Sequence, residues 1–149
     1  LFSAEVLEEV AKHCEAPLIF PLSNPTSKAE CTAEEAFKAT GGKCLFASGS
    51  PFDDVDLGSG KTGYSNQCNN YFIFPGLGVG SFLSGANRVN DEMLFAAAHA
   101  VSQYVSEEDL EKGIILPRAN NIRDCSAKVA AAVGLAAMET GVAHGGIRG

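Results

Sequence analysis

The chain has 149 residues, 46% of them hydrophobic, and a formal net charge of −7. That is one domain's worth of sequence with enough apolar material for a substantial core, which excludes a disordered chain. No apolar run approaches the ~18 residues that span a bilayer, and no leader pattern precedes the first helix, so a soluble, intracellular protein is expected, cytoplasmic or organellar, with no membrane partner. An acidic balance without a Lys/Arg cluster argues against nucleic acid, although local donors can still hold a small dianion. Five cysteines, Cys14, Cys31, Cys44, Cys68 and Cys125, show no C-x-x-C pair and read as reduced core thiols.

In chain order, Ser3 leads an amphipathic pattern that predicts an N-capped helix ending near Glu15, before Pro17. Leu18 to Leu22 reads as a short buried strand. Thr32 with Glu35 is a capping box, so a helix is expected to about Thr40, stopped by Gly41-Gly42. Cys44-Leu45-Phe46-Ala47 reads as a second buried strand. Strand-helix-strand over about 17–48 is a right-handed parallel crossover, so the fold class is α/β with a Rossmann-like parallel sheet. Pro51 to Gln67, rich in Asp, Gly and Ser, reads as a long surface loop. Beyond it the pattern turns helical over about 75–140. Leu77 to Arg88 suits a helix buried on all sides, and Asp91-Glu92 leads a longer helix to Val105. Ser106 caps a short helix ended by Gly113; a final helix runs from Ile122 to about Glu139, and the tail from Gly141 to Gly149 is expected to fray.

Three motifs have blander readings that are preferred. Gly76-Leu77-Gly78-Val79-Gly80 lacks the spacing of a dinucleotide fingerprint and is followed by helix, so small residues for close helix packing are expected. Gly58-Ser59-Gly60-Lys61-Thr62 lacks the leading glycine of a phosphate loop, since Val55 stands there. Asp53, Asp54 and Asp56 read as solvated loop carboxylates, and His13, His99 and His144 lie far apart in sequence.

The polar run Ser23-Asn24-Pro25-Thr26-Ser27-Lys28 ends the first apolar strand abruptly, where open α/β sheets carry ligand-handling groups. Its amide and hydroxyls suit the orientation of a small polar anion. Pro25 biases Asn24 toward extended dihedrals, which favours an amide directed into a crevice; an Asx-type turn cap is the structural alternative. Asn69-Asn70 forms a second amide cluster. Neighbouring amides point different ways, so one is expected to bind ligand while the other braces the loop.

These segments, with Phe46-Ala47-Ser48-Gly49-Ser50-Pro51-Phe52 between them and Asn69-Asn70-Tyr71-Phe72-Ile73-Phe74-Pro75-Gly76 after them, resemble the C-terminal part of the malic enzyme NAD(P)-binding domain. The resemblance runs from about Phe2 to Ala131. It implies that residues 1–149 are the C-terminal portion of that domain, in an oxidoreductase that decarboxylates L-malate to pyruvate with NAD or NADP and Mg²⁺ or Mn²⁺. It implies that Asn24 contacts malate beside the nicotinamide, that Asn69 and then Asn70 contact malate, and that Ser23 lies on the cofactor side. The Lys and Tyr of proton transfer, the carboxylates of the metal site, the arginine on malate and the pyrophosphate fingerprint belong to segments outside this sequence. No catalytic or metal-ligating residue is therefore assigned here, and the chain alone is expected to be inactive. Its expected partners are the rest of the enzyme chain and further copies in a homo-oligomer. The alternative is a non-catalytic binding or assembly module built on a Rossmann-like base. After Ala131 the resemblance thins, and Gln67-Cys68 replaces the glycine-rich lead-in expected before the asparagine pair.

Overall fold

The computed structural model describes residues 2–144, which gather into two units, 2–69 with 107–116 and 70–106 with 117–144. In the first unit, Ser3 accepts the Val6 N–H and starts α1 (Ala4–His13), a helix that buries Leu7. Strand β1 (Leu18–Ile19) follows. It is shorter than the apolar run Leu18 to Leu22, because Pro21 has no N–H to donate to a ladder and Leu22 lies exposed. Helix α2 (Ala33–Ala39) opens with the full capping box: Thr32 accepts the Glu35 N–H while the Glu35 carboxylate accepts the Thr32 N–H at 2.8 Å. It ends where Gly41 and Gly42 turn to φ 62° and 75°, and Gly42 N–H donates to the Phe37 carbonyl at 2.7 Å.

Strand β2 (Leu45–Ser48) then pairs parallel to β1, with Leu18 opposite Leu45 and Ile19 opposite Phe46. The β1-α2-β2 crossover closes a core of Leu7, Ile19, Cys31, Ala33, Ala36, Phe37, Cys44 and Phe46. Phe46 sits at its centre, fully buried, with its ring 6.1 Å from that of Phe37 and edge-on to Phe52 at 5.9 Å.

The stretch from Pro51 to Gln67 is not the loop its composition suggests. It holds an antiparallel hairpin, β3 (Val55–Gly58) with β4 (Lys61–Gly63), and a third parallel strand, β5 (Ser65–Gln67). Gly58, Ser59 and Gly60 all have positive φ at the hairpin tip, the geometry a tight reversal needs. Val55 and Leu57 pack on the core from one face of β3. Strand β5 extends the sheet to the order β1-β2-β5, with Phe46 opposite Ser65, Ala47 opposite Asn66 and Ser48 opposite Gln67. Its Ser-Asn-Gln sequence carries no hydrophobic period, which is why pattern reading passes over it. The short helix α5 (Glu107–Glu111) belongs to this unit too, ending before Gly113 at φ 87°.

The second unit is helical. Helix α3 runs Phe74–Ser84, with Pro75 in its first turn and Gly85 in the left-handed region as its stop. It starts earlier than the predicted Leu77 and is buried on one face only: Gly76, Leu77, Gly80 and Ser84 face inward, whereas Phe74, Val79 and Phe82 are exposed. Helix α4 (Asp91–Ser102) is capped by Asn90, whose Oδ1 accepts the Met93 N–H at 3.0 Å. Helix α6 (Ile122–Glu139) spans 18 residues and packs on both α3 and α4. The glycines of α3 explain the packing. A Cβ on Gly76 would stand 2.6 Å from Val129, and one on Gly80 would stand 2.5 Å from the Ala130 carbonyl oxygen. Two glycines four apart therefore let the helices approach backbone to backbone. Beyond α6, Val142 is buried and Ala143 bridges to Ala86, so Gly141 to His144 are held rather than frayed. Residues 145–149, on which the rest of that expectation falls, lie outside the described residues. No helix among the described residues is long and apolar enough to cross a membrane.

Candidate functional site

The carboxyl ends of β1, β2 and β5 lie side by side in the first unit, and each runs into a polar segment. After β1 the chain reaches Ser23 and Asn24; after β2, Gly49 and Ser50; after β5, Cys68 and Asn69. Backbone hydrogen bonds carry the pairing past the strands proper: Gly49 N–H donates to the Pro21 carbonyl at 3.0 Å, and Cys68 N–H to the Ser48 carbonyl at 2.8 Å. This is the location at which open parallel sheets present ligand groups.

Asn24 is exposed, and its peptide bond to Pro25 is cis. Its Oδ1 accepts a hydrogen bond from the Ser50 hydroxyl at 2.5 Å. Ser50 is buried, 3% exposed, and its carbonyl accepts the Ser48 hydroxyl at 2.7 Å. Gly49 makes room for this arrangement. A Cβ there would lie 2.3 Å from the Leu22 carbonyl oxygen and 3.1 Å from Asn24 Nδ2, so any side chain would push β2 away from the Asn24 segment.

Ser23, the candidate on the cofactor side, has its polar groups turned toward Glu30. Its hydroxyl donates to Glu30 Oε1 at 2.7 Å and its N–H to Oε2 at 3.2 Å. The Ser23 hydroxyl is the main reason the Glu30 carboxyl sits below the usual carboxylate range. The pairing closes the loop between β1 and α2. Asn69 follows β5 in the same unit as Asn24, half-buried. Asn70 belongs to the helical unit, where it opens a single 3₁₀ turn, Asn70–Phe72, that leads into α3.

Asn66, in the middle of β5, was missed by sequence reading and is hydrogen-bonded through both ends of its amide. Its Nδ2 donates to the Phe46 carbonyl at 2.9 Å and the Gly113 carbonyl at 3.0 Å. Its Oδ1 accepts from Ile115 N–H at 2.8 Å and Leu116 N–H at 3.3 Å. At 6% exposure it is a buried, satisfied amide that ties β2 and residues 113–116 to β5. The only sequence signal for it was a lone Asn between polar neighbours, which reads as loop.

The other polar groups of the unit act locally. Asp54 accepts the Ser65 N–H at 2.8 Å and Asp56 the Gly58 N–H at 2.8 Å, so both carboxylates cap backbone. Among the described residues, no three His, Cys, Asp or Glu side chains gather as a metal site. Cys31, Cys44 and Cys125 are buried thiols, whereas Cys14 and Cys68 are exposed, which corrects the reading of all five as core. Burial pushes the Cys31 thiol up to about 11 and raises Cys44 as well, so neither supplies a thiolate near neutral pH.

In the helical unit, a groove of about 910 Å³ runs between α3 and α6, lined by Val79, Leu83, Ala131, Leu135 and Met138 among others, with no charged side chain. A second, of about 530 Å³, lies between α4 and α6, where Asp91, Glu92 and Glu139 stand near the stacked rings of Phe95 and His99. Gly76 and Gly80 are consumed by the contact with α6, so the Gly-rich run is a packing device and not a phosphate cradle.

A parallel sheet with amides and hydroxyls at its carboxyl ends, followed by helices, defines a Rossmann-like α/β domain. The chain belongs to the malic enzyme family: the family model described as "Malic enzyme, NAD binding domain" matches residues 1–138. It is 54% identical over 147 residues to "NAD-dependent malic enzyme, mitochondrial" of Solanum tuberosum, covering 97% of this chain and 23% of that protein. It is 54% identical over 142 residues to "NADP-dependent malic enzyme" of Vitis vinifera, covering 95% and 24% respectively. With "NAD-dependent malic enzyme 2, mitochondrial" of Arabidopsis thaliana it shares 49% over 147 residues, covering 97% and 24%. The chain thus spans about a quarter of the length of these relatives.

Proposed function

We propose that this chain forms the substrate-orienting part of a malic enzyme, the C-terminal portion of its NAD(P)-binding domain. In that reading it helps hold L-malate against the nicotinamide of NAD or NADP while malate is oxidised and decarboxylated to pyruvate. The observation that carries the reading is Asn24 at the carboxyl end of β1, its amide held by Ser50 from the end of β2, in a sheet whose next strand leads into Asn69. Asn24 is the principal malate contact and also faces the cofactor; Asn69 is the second contact, and Asn70 the third. Ser23 serves the cofactor side indirectly, because its hydroxyl and N–H both go to Glu30 and so fix the loop that carries Asn24.

These residues bind and orient; they do not transfer the proton. An amide has no useful acid or base function near neutral pH, and its contribution is to fix the substrate so that the reacting carbon approaches the cofactor correctly. The residues described here do not fit a divalent metal: the loop carboxylates Asp54 and Asp56 bond backbone N–H groups, and no acidic cluster forms among the described residues. Nor do the glycines of α3 fit a pyrophosphate. In the proposal, Mg²⁺ or Mn²⁺, the acid/base pair and the pyrophosphate are held by the remaining three-quarters of the enzyme.

The test places this chain in the matching quarter of the Solanum tuberosum relative and follows reduced nicotinamide by absorbance, with L-malate, Mn²⁺ and either NAD⁺ or NADP⁺. The chimeric enzyme is expected to be active. Asn24→Ala should lower kcat/KM for malate by about 30-fold, the loss expected for one hydrogen bond to a charged group of about 2 kcal/mol. The 149-residue chain alone should be silent. An Asn24→Ala enzyme as efficient as its parent would end the assignment.

A further inference from the structure

We infer that Ser50 is a positioning residue that fixes which way the Asn24 amide faces, so that this corner of the site offers a donor and selects an acceptor oxygen on the substrate. The inference rests on the functional reading above and deepens it. An amide at a strand end can present either its oxygen or its nitrogen, and the two choices select opposite ligand chemistry. Here the oxygen is already engaged. It is Oδ1 of Asn24 that faces Ser50 Oγ, at 2.5 Å, so the hydroxyl donates and the amide oxygen accepts.

Ser50 is itself held. It is 3% exposed, and the Ser48 hydroxyl donates to its carbonyl at 2.7 Å, which pins the backbone that carries it. Gly49 keeps the approach open, since a Cβ at that position would lie 3.1 Å from Asn24 Nδ2 and 2.3 Å from the Leu22 carbonyl oxygen. With the amide oriented by a buried donor on one lone pair of Oδ1, an exposed Asn24 offers its Nδ2–H₂ pair as donors. The matching ligand atom is a carboxylate or hydroxyl oxygen acting as acceptor; a ligand presenting an ammonium or amide N–H to this corner would meet donor against donor.

Ser50 touches no substrate in this account and acts only through Asn24, so the prediction is a coupling. In the same chimeric enzyme, Ser50→Ala is expected to raise KM for malate about tenfold with kcat within a factor of two, because the amide is then free to rotate. In the Asn24→Ala background the same change should alter KM by less than twofold. A purely structural serine would instead lower activity by the same factor in both backgrounds, and that result would overturn the inference, as would a Ser50→Ala enzyme with unchanged KM. Should the alanine variant fail to fold, Ser50→Cys, which fills nearly the same space with only a weak donor, carries the same cycle. An unsubstituted chimera that folds yet gives no malate-dependent reduction would overturn the functional reading itself, and the inference with it; an active chimera without the coupling would overturn the inference alone.

Discussion

Asn66 and Gly76 hold their respective units together by opposite means. In the sheet unit a buried amide reaches out, and its two ends collect the backbone of β2 and of residues 113–116. In the helical unit the close contact depends on a side chain that is not there, since any Cβ on Gly76 would collide with Val129. The first device is directional: it specifies which carbonyl meets which N–H, and so fixes how β2 and residues 113–116 sit against β5, the strand that leads into Asn69. The second is only steric and specifies how near two helices come. A site that must aim an amide at a small anion is better built on the directional kind.

The comparison can be tested from both sides. The largest effect is expected at the glycine. Gly76→Val should destabilise the helical unit by about 3 kcal/mol, because overpacking a backbone-to-backbone contact forces α3 off α6. A fall in the urea midpoint of the helical circular dichroism signal would register it, and an unchanged midpoint would mean that stability does not depend on the close approach of α3 and α6. Asn66→Ala should cost about 2 kcal/mol, less than the glycine change yet more than a surface substitution, because it leaves the Phe46 and Gly113 carbonyls and the Ile115 N–H without their partner. Hydrogen exchange at the Ile115 amide gives the sharper reading: it should accelerate in the variant, and continued protection would show that another group replaces the amide.

The smallest effect concerns Ser23 and Glu30. The Glu30 carboxyl is lowered in the folded chain, chiefly by the Ser23 hydroxyl. A depressed carboxylate adds stability that is fully present above its unfolded value of about 4.5 and is lost as pH falls through the lowered folded value. Wild type should therefore lose more stability than Ser23→Ala between pH 5 and pH 3, as about those limits follow from ordinary carboxylate titration. Thermal midpoints recorded across that range should converge at the acid end. Parallel curves would mean the pair contributes nothing in solution.

Much of the sheet unit was legible because its signals are local. Thr32 and Glu35 form a capping box three residues apart, and the apolar content of Leu45 to Ala47 marks β2 without reference to anything distant. The place of Asn24 after β1 was legible because a polar run follows the apolar one where a parallel strand should end. The missed strand β5, with Ser65, Asn66 and Gln67, is polar in every residue and is stabilised by partners many residues away. No window of sequence contains both ends of those bonds. The helical unit shows the same divide, since the helix of Gly76 and Gly80 was legible but its burial on one face only was not.

By itself, then, the sequence determined the α/β class, the crossover from β1 to β2 and the helices beyond residue 70. Those follow from spacing, capping and the chemistry of single residues, which act over a few positions of the chain. Only the tertiary structure decided that Ser50 takes the Asn24 oxygen, that Ser23 closes on Glu30, and that a polar tripeptide completes the sheet. Each of these is a hydrogen bond or a strand pairing between segments that the chain must first fold to bring together, and its geometry exists only once the backbone between them is fixed.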